Sequence, residues 1–322
     1  MTDRTPDRTP GDTPDQGSAY RHELYPYQGR EAFLDGTLGF IHEALDGDEA
    51  VVVAVPQHKV SLLRAELPEL STVRFVDTDS VAHHPGRLIA AWQGWLHEHA
   101  ADGRPVRGIG ESSWEEAHSH AEVRELRYHE WLLNKAFADS PAWRLLCPYD
   151  TDGANADLTA MARCHPELRQ DGRTQPSEGY DAEAAYAFER MGGPCDPFDE
   201  LRYGSGDLAA VRARIAECAE RNGLDGLRLR ELSIAATEIA GNSIKHGGGR
   251  GVLRTWVDED RLICEFWDRG HIADPLAGRM QPHASQVGGR GLWLAHQLCD
   301  LVELRSTLED GTTVRLHSAL RG

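Results

Sequence analysis

Two rhythms of apolar and polar positions divide the chain. From Tyr20 to about Leu168, short apolar runs alternate with amphipathic segments. Phe33, Thr37, Leu38, Ile41 and Leu45 share one helical face, the unbroken run Ala50–Val55 reads as a buried strand, and His58–Leu67 reads as a helix. Val73–Val76 is a strand, and Pro85 opens a helix carrying Leu88, Ile89, Trp92, Trp95 and Leu96. A strand Val106–Ile109, a long helix Glu115–Phe137 and a strand Trp143–Cys147 follow. Alternation of this kind predicts an α/β domain with a mostly parallel sheet covered on both faces.

The second rhythm starts at Asp207, which caps a helix with Leu208, Val211 and Ile215 on one face, ending near Gly223. A helix from about Leu227 to Lys245 comes next. Gly251–Val257 and Arg261–Trp267 alternate as a hairpin around Asp258-Glu259-Asp260. After a helix Gly291–Cys299, Leu301–Ser306 and Thr312–Ser318 form another hairpin, turned at Asp310-Gly311. Helices followed by antiparallel strands predict an α+β sandwich.

Between the two, residues 169–200 lose periodicity and collect Gly and Pro, with one helical turn expected near Ala182–Arg190. The leader repeats Thr-Pro three times without an aliphatic residue after Met1, the composition of a disordered tail. The expected organisation is a tail (1–19), a first domain (20–170), a linker (171–203) and a second domain (204–322).

At 322 residues the chain has length for two cores. No apolar run approaches the ~20 residues of a membrane span. The polar N-terminus argues against a secretory signal, so a cytoplasmic protein is expected. The net charge of −18 argues against direct nucleic-acid binding. That bias is confined to the upstream part, since Gly226–Gly322 carries 12 basic and 12 acidic residues. The six cysteines are scattered without a C-x-x-C pair, which fits reduced core thiols better than disulfides or a thiolate zinc site. His97/His99 and His118/His120 form H-x-H pairs, but in helices i and i+2 do not face each other, so no metal is expected there.

The chemistry concentrates near the C-terminus. Glu238, Asn242 and His246 are spaced four apart and lie on one stripe of a helix that ends at Gly247-Gly248-Gly249. A strand then ends in Asp268-Arg269-Gly270, and Gly288-Gly289-Arg290-Gly291-Leu292 opens a later helix. Each element suits a nucleotide. Asn242 offers oxygen to a hard Mg²⁺, and Glu238, one turn earlier, can take a proton or position a water. Asp268 can accept a hydrogen bond from an exocyclic amine, and Gly270 lets the chain turn without a Cβ against a base. The glycines at 288, 289 and 291 expose N–H groups at a helix N-terminus, with Arg290 adding charge.

The order Glu-x-x-x-Asn-x-x-x-His, Asp-x-Gly, Gly-Gly-Arg-Gly-Leu resembles the nucleotide boxes of the GHKL (Bergerat-fold) ATPases. Within them, Asp207 to Leu320 resembles the anti-sigma factor serine/threonine kinases. The resemblance implies a Bergerat sandwich, ATP and Mg²⁺ as cofactors, Asn242 as Mg²⁺ ligand, Glu238 as base and Asp268 as adenine ligand. It also implies a sigma factor and an anti-anti-sigma antagonist as partners, and a homodimer. The stretches His22–Tyr25, Gly108–Trp114 and His129–Asn134 resemble the MEDS sensory domain, a relative of RecA/KaiC-like folds that implies a small ligand. Where a phosphate loop would stand, Pro56–Ser61 lacks its glycines. Two other readings are a sensor histidine kinase autophosphorylating on His129, and a nucleotide-gated sigma-binding module without phosphoryl transfer.

Overall fold

The computed structural model describes residues 20–67, 72–78, 84–100, 103–111, 119–153, 156–183, 191–283 and 289–320. The expected tail, residues 112–118 of the long helix and its preceding motif, most of the Ala182–Arg190 turn, and Gly288 lie outside them.

The first unit runs β1 (Tyr20–Tyr27), α1 (Gly29–Asp46), β2 (Ala50–Val55), α2 (Gln57–Glu66), β3 (Val73–Asp77), a 3₁₀ turn (Pro85–Arg87) leading into α3 (Leu88–Ala100), and β4 (Val106–Gly110). It continues with α4 (His120–Ala136), β5 (Trp143–Asp150), α5 (Leu158–Cys164), β6 (Glu167–Gln170) and β7 (Arg173–Pro176). Its sheet has the order β3-β2-β4-β5-β1-β6-β7, parallel except for the β6–β7 pair.

The unbroken apolar run of β2 has a simple cause. Val51, Val53 and Val55 meet α1 and α2, whereas Ala50, Val52 and Ala54 join the cluster of α3 and α4. Gly108 and Gly110 let the Trp92 indole lie on the sheet, since a Cβ at either would come within about 3 Å of it (2.9 and 3.0 Å). Trp92, Trp95 and Trp131 are core residues. The long helix begins at His120 because Ser119 and Glu122 form a reciprocal capping box.

The second unit runs β8 (Asp199–Gly204), α6 (Leu208–Arg221), α7 (Gly226–His246), β9 (Arg250–Asp258), β10 (Arg261–Asp268), α8 (Arg290–Leu298), β11 (Leu301–Thr307) and β12 (Gly311–Ala319). The sheet order is β11-β12-β10-β9-β8, antiparallel throughout. One face packs on the helices through Val211, Ile215, Ala236, Ile239, Leu253, Phe266 and Leu316.

Four strands, β1, β6, β7 and β8, escape the hydrophobic pattern. β1 lies inside the first sheet although it carries His22 and Glu23, because Arg144 and Thr174 satisfy the Glu23 carboxylate and Asn134 meets His22. The aperiodic stretch 169–200 supplies β7 to the first sheet and the start of β8 to the second. Five cysteines are buried thiols, but Cys195 is exposed.

The units meet through buried charge. The fully buried Arg279 donates to Glu125 at 2.5 Å, and Arg305 donates to the same carboxylate at 2.7 Å. Arg124 reaches Glu303 at 2.8 Å. Burial alone would raise the Glu303 pKa, but His317 and Arg124 hold it down at about 2. Arg87 donates to the carbonyls of His296, Gln297 and Cys299, satisfying the C-terminal end of α8. His84 and His296 touch at 2.9 Å between ring nitrogens.

Candidate functional site

The face of α7 bearing Ala235, Ala236, Ile239, Ala240 and Ser243 is buried. The opposite stripe therefore points outward, with Glu238 and His246 exposed and Asn242 half-buried. Two oxygen-bearing side chains one turn apart are thus presented by a rigid element instead of being consumed in the core.

Glycines bring the other boxes to this stripe. A Cβ at Gly247 would lie 2.3 Å from Cγ of Asp268. Only glycine lets the end of α7 touch the end of β10 so closely. Asp268, 8% exposed, uses Oδ1 to accept the Gly270 N–H at 2.7 Å, leaving Oδ2 for other use. A Cβ at Gly270 would meet Asp268 Oδ1 at 2.8 Å and the His246 carbonyl oxygen at 2.9 Å. The structure thus brings the His246 backbone into the site, while its side chain is exposed at the helix end.

Gly289 takes a left-handed φ of 76° just before α8. A Cβ at Gly291 would lie 2.8 Å from Glu238 Oε2 and 3.3 Å from Asn242 Nδ2. The N-terminus of α8 therefore rests against the Glu238 and Asn242 side chains of α7. Leu292 is half-buried and fixes this end by packing on the core and against Gly278. Arg290 is exposed at the first helical position. Six of the expected residues, Glu238, Asn242, Asp268, Gly270, Gly289 and Gly291, thus surround one surface, with Arg290 and Leu292 at its edge.

Sequence reading missed the support beneath Asp268. Thr312 donates to the Gly270 carbonyl at 2.9 Å, Ser306 bonds Thr312 at 2.8 Å, and the Ile272 N–H donates to Ser306 at 2.8 Å. Only the β10–β12 register, which sets Asp268 opposite Thr312, reveals them.

The donor set fits nucleotide and Mg²⁺. Carboxylate and amide oxygens suit a hard cation, and glycines that a Cβ would fill line both the Asp268 turn and the start of α8. In the first unit, the position of a phosphate loop is differently used. Lys59 is buried and bonded to Glu111 at 2.6 Å and to the Tyr27 hydroxyl at 2.7 Å, so its ammonium already has a counter-charge. His129 is 2% exposed, and burial lowers its pKa to about 4. No helix among the described residues is long and apolar enough to cross a membrane.

Two family models match the chain. The family model of the MEDS domain (methanogen/methylotroph, DcmR sensory domain) matches residues 21–166. That of the histidine kinase-like ATPase domain matches residues 205–317. No curated protein matches the chain. Among solved structures, the RsbU and RsbW domains of Rv1364c from Mycobacterium tuberculosis are 19% identical over 38% of this chain and 32% of that one, with a TM-score of 0.28. The chain thus spans about a third of the length of that structure. By these two matches, the chain carries a MEDS domain at residues 21–166 and a histidine kinase-like (GHKL-like) ATPase domain at residues 205–317.

Proposed function

We propose that the second domain, a Bergerat-type sandwich, binds ATP and Mg²⁺ and transfers the γ-phosphoryl group to a Ser or Thr hydroxyl of an antagonist protein. The same domain would hold a sigma factor, as an anti-sigma regulator does. The observation that carries this reading is the convergence of Glu238, Asn242, Asp268 and the Gly291 backbone on one surface. Asp268 accepts the adenine amine through its second oxygen. Backbone N–H groups at the start of α8, with Arg290, face the phosphates. Asn242 holds the Mg²⁺, which when bound neutralises phosphate charge. Glu238 takes the proton of the attacking hydroxyl, and positioning with electrostatics supplies most of the rate.

The burial of His129 favours this over autophosphorylation, because a phosphoacceptor must reach the γ-phosphate from solvent. The first domain, related to RecA/KaiC-like folds but with Lys59 locked to Glu111, serves as the sensor of a small ligand. Two contacts link it to the nucleotide surface. Glu125 of α4 grips Arg279 between the second and third boxes, and Arg87 holds the far end of α8. Leu227 and Ile234, seven apart and exposed on α7, favour the expected homodimer.

The test is labelling with γ-phosphate-tagged ATP and Mg²⁺, alone and with host lysate, using Asn242→Ala as control. Acid-stable label on a second protein, lost in Asn242→Ala, is expected. Glu238→Gln should bind ATP yet transfer nothing. Acid-labile label on the protein itself would refute the reading. If wild type binds nucleotide but labels nothing, it is a nucleotide-gated binding module.

A further inference from the structure

We propose that the MEDS domain holds a zinc-class divalent cation between His22, Glu130, Cys147 and His165. These residues are spread over 144 positions of sequence. They come from β1, α4, β5 and the residue ending α5. All four are buried, and their ligand atoms lie within 4.8 Å of one another. His22 Nε2 is 3.2 Å from Cys147 Sγ and 3.6 Å from Glu130 Oε2, and His165 Nε2 is 3.6 Å from the same oxygen. Tetrahedral zinc with metal–ligand bonds of about 2.0–2.3 Å sets its ligand atoms about 3.3–3.6 Å apart. These three separations, 3.2 to 3.6 Å, match that spacing closely.

The hydrogen-bond directions aim the right atoms inward. The His165 Nδ1–H donates to the Met161 carbonyl at 2.8 Å, so Nε2 carries the lone pair. Asn134 donates its NH₂ to the Cys164 carbonyl at 2.6 Å, which turns its oxygen toward His22 Nδ1 at 3.0 Å. His22 Nδ1 therefore bears the proton, and its Nε2 also faces the cluster bare. Ligating histidines are oriented by such outer partners.

Two buried atoms are left over. Among the described residues, Glu130 Oε2 and His165 Nε2 have no well-formed hydrogen bond, the Cys147 thiol being the only nearby donor, and 3.6 Å between them is too long for one. A carboxylate of a residue 3% exposed, set among two imidazole lone pairs with a single weak thiol donor, is costly unless a cation joins it. One divalent ion resolves all four atoms. The Cys147 S–H bond breaks, its proton leaves to solvent and the sulfur bonds the metal. Thiolate, carboxylate, two neutral imidazoles and M²⁺ then sum to zero charge. The N₂SO set excludes Mg²⁺ and Ca²⁺, which take oxygen ligands, and suits zinc. The absence of a C-x-x-C pair does not count against such a site, because each ligand comes from a different element.

The experiment uses the full chain free of any affinity tag. Metal content is measured as purified, then zinc and cobalt(II) are titrated after chelation. We expect one zinc per chain. Cobalt(II) should give the strong visible bands of four-coordinate geometry with a thiolate charge-transfer band. Cys147→Ser should lose that band, and His165→Gln should lose stoichiometric zinc. Asn134→Ala keeps all four ligands and should weaken zinc affinity about 10- to 100-fold as a positioning residue. This variant keeps the proposal testable if a ligand variant misfolds. Wild type that holds no zinc and shows no thiolate–cobalt band overturns it. So does unchanged zinc affinity in all three variants, which would place the metal elsewhere.

Discussion

Asp268→Asn separates base recognition from loop support. In the native chain one carboxylate oxygen is committed to the Gly270 N–H at 2.7 Å, and the residue is 8% exposed. The amide keeps an oxygen for Gly270, so the turn persists. It places an NH₂ where, in the proposed role, the second oxygen would accept from the adenine amine, setting donor against donor. A hydrogen bond to a charged acceptor contributes about 1.5–3 kcal/mol. At about 1.4 kcal/mol per decade, ATP binding should weaken about 10- to 150-fold. Inosine triphosphate carries a carbonyl in place of the amine and should bind the variant better than it binds wild type. Calorimetric titration with non-hydrolysable analogues of both nucleotides measures this, and circular dichroism checks the fold. Equal losses for both nucleotides, or none, would refute the assignment and leave Asp268 as a brace for the Gly270 turn.

Other outcomes follow from the domain interface. Glu125→Ala strips the counter-charge from the fully buried Arg279 and from Arg305, and should destabilise the chain by about 3–5 kcal/mol in denaturant unfolding. Replacing Glu125 and Arg279 together by apolar residues should recover part of that loss. Acidification should loosen the same interface. Burial, then the nearby His296 and Arg279 charges, holds the His84 pKa well below 6.5, and burial with Arg279 and Arg87 does the same for His296. The Gly86 N–H donates to His84 Nδ1, so a proton added at Nδ1 has no acceptor. Because the folded pKa is depressed, the unfolded chain binds more protons just below pH 6.5. Stability should therefore be complete above 6.5 and fall on the order of 1 kcal/mol per pH unit for each histidine below it. Melting curves across pH 5–8 check this, and a flat profile would contradict it.

Much of this protein could be read in one dimension. Val51–Val55 reads as a doubly covered strand because every residue is apolar, and the stripe Glu238, Asn242, His246 follows from helical geometry. The glycine boxes are legible because backbone approach tolerates no Cβ at 247, 270 or 291. The missed strands have two causes. β1 was invisible because His22 and Glu23 are buried polar residues whose partners Asn134, Arg144 and Thr174 lie more than 100 positions away. β7 and β8 escaped for the lack of an apolar face, being edge strands with half-exposed patterns.

The two rhythms, the order of the glycine-bearing segments and the class of each domain are legible in one dimension, because periodicity and glycine positions are local constraints. Which polar groups are answered by distant partners is settled in three dimensions. The tertiary structure locks Lys59 to Glu111, buries His129, sets Thr312 beneath Asp268, and gathers His22, Glu130, Cys147 and His165 into one cluster. Such pairings depend on register and packing between elements far apart in sequence, and no local pattern carries that information.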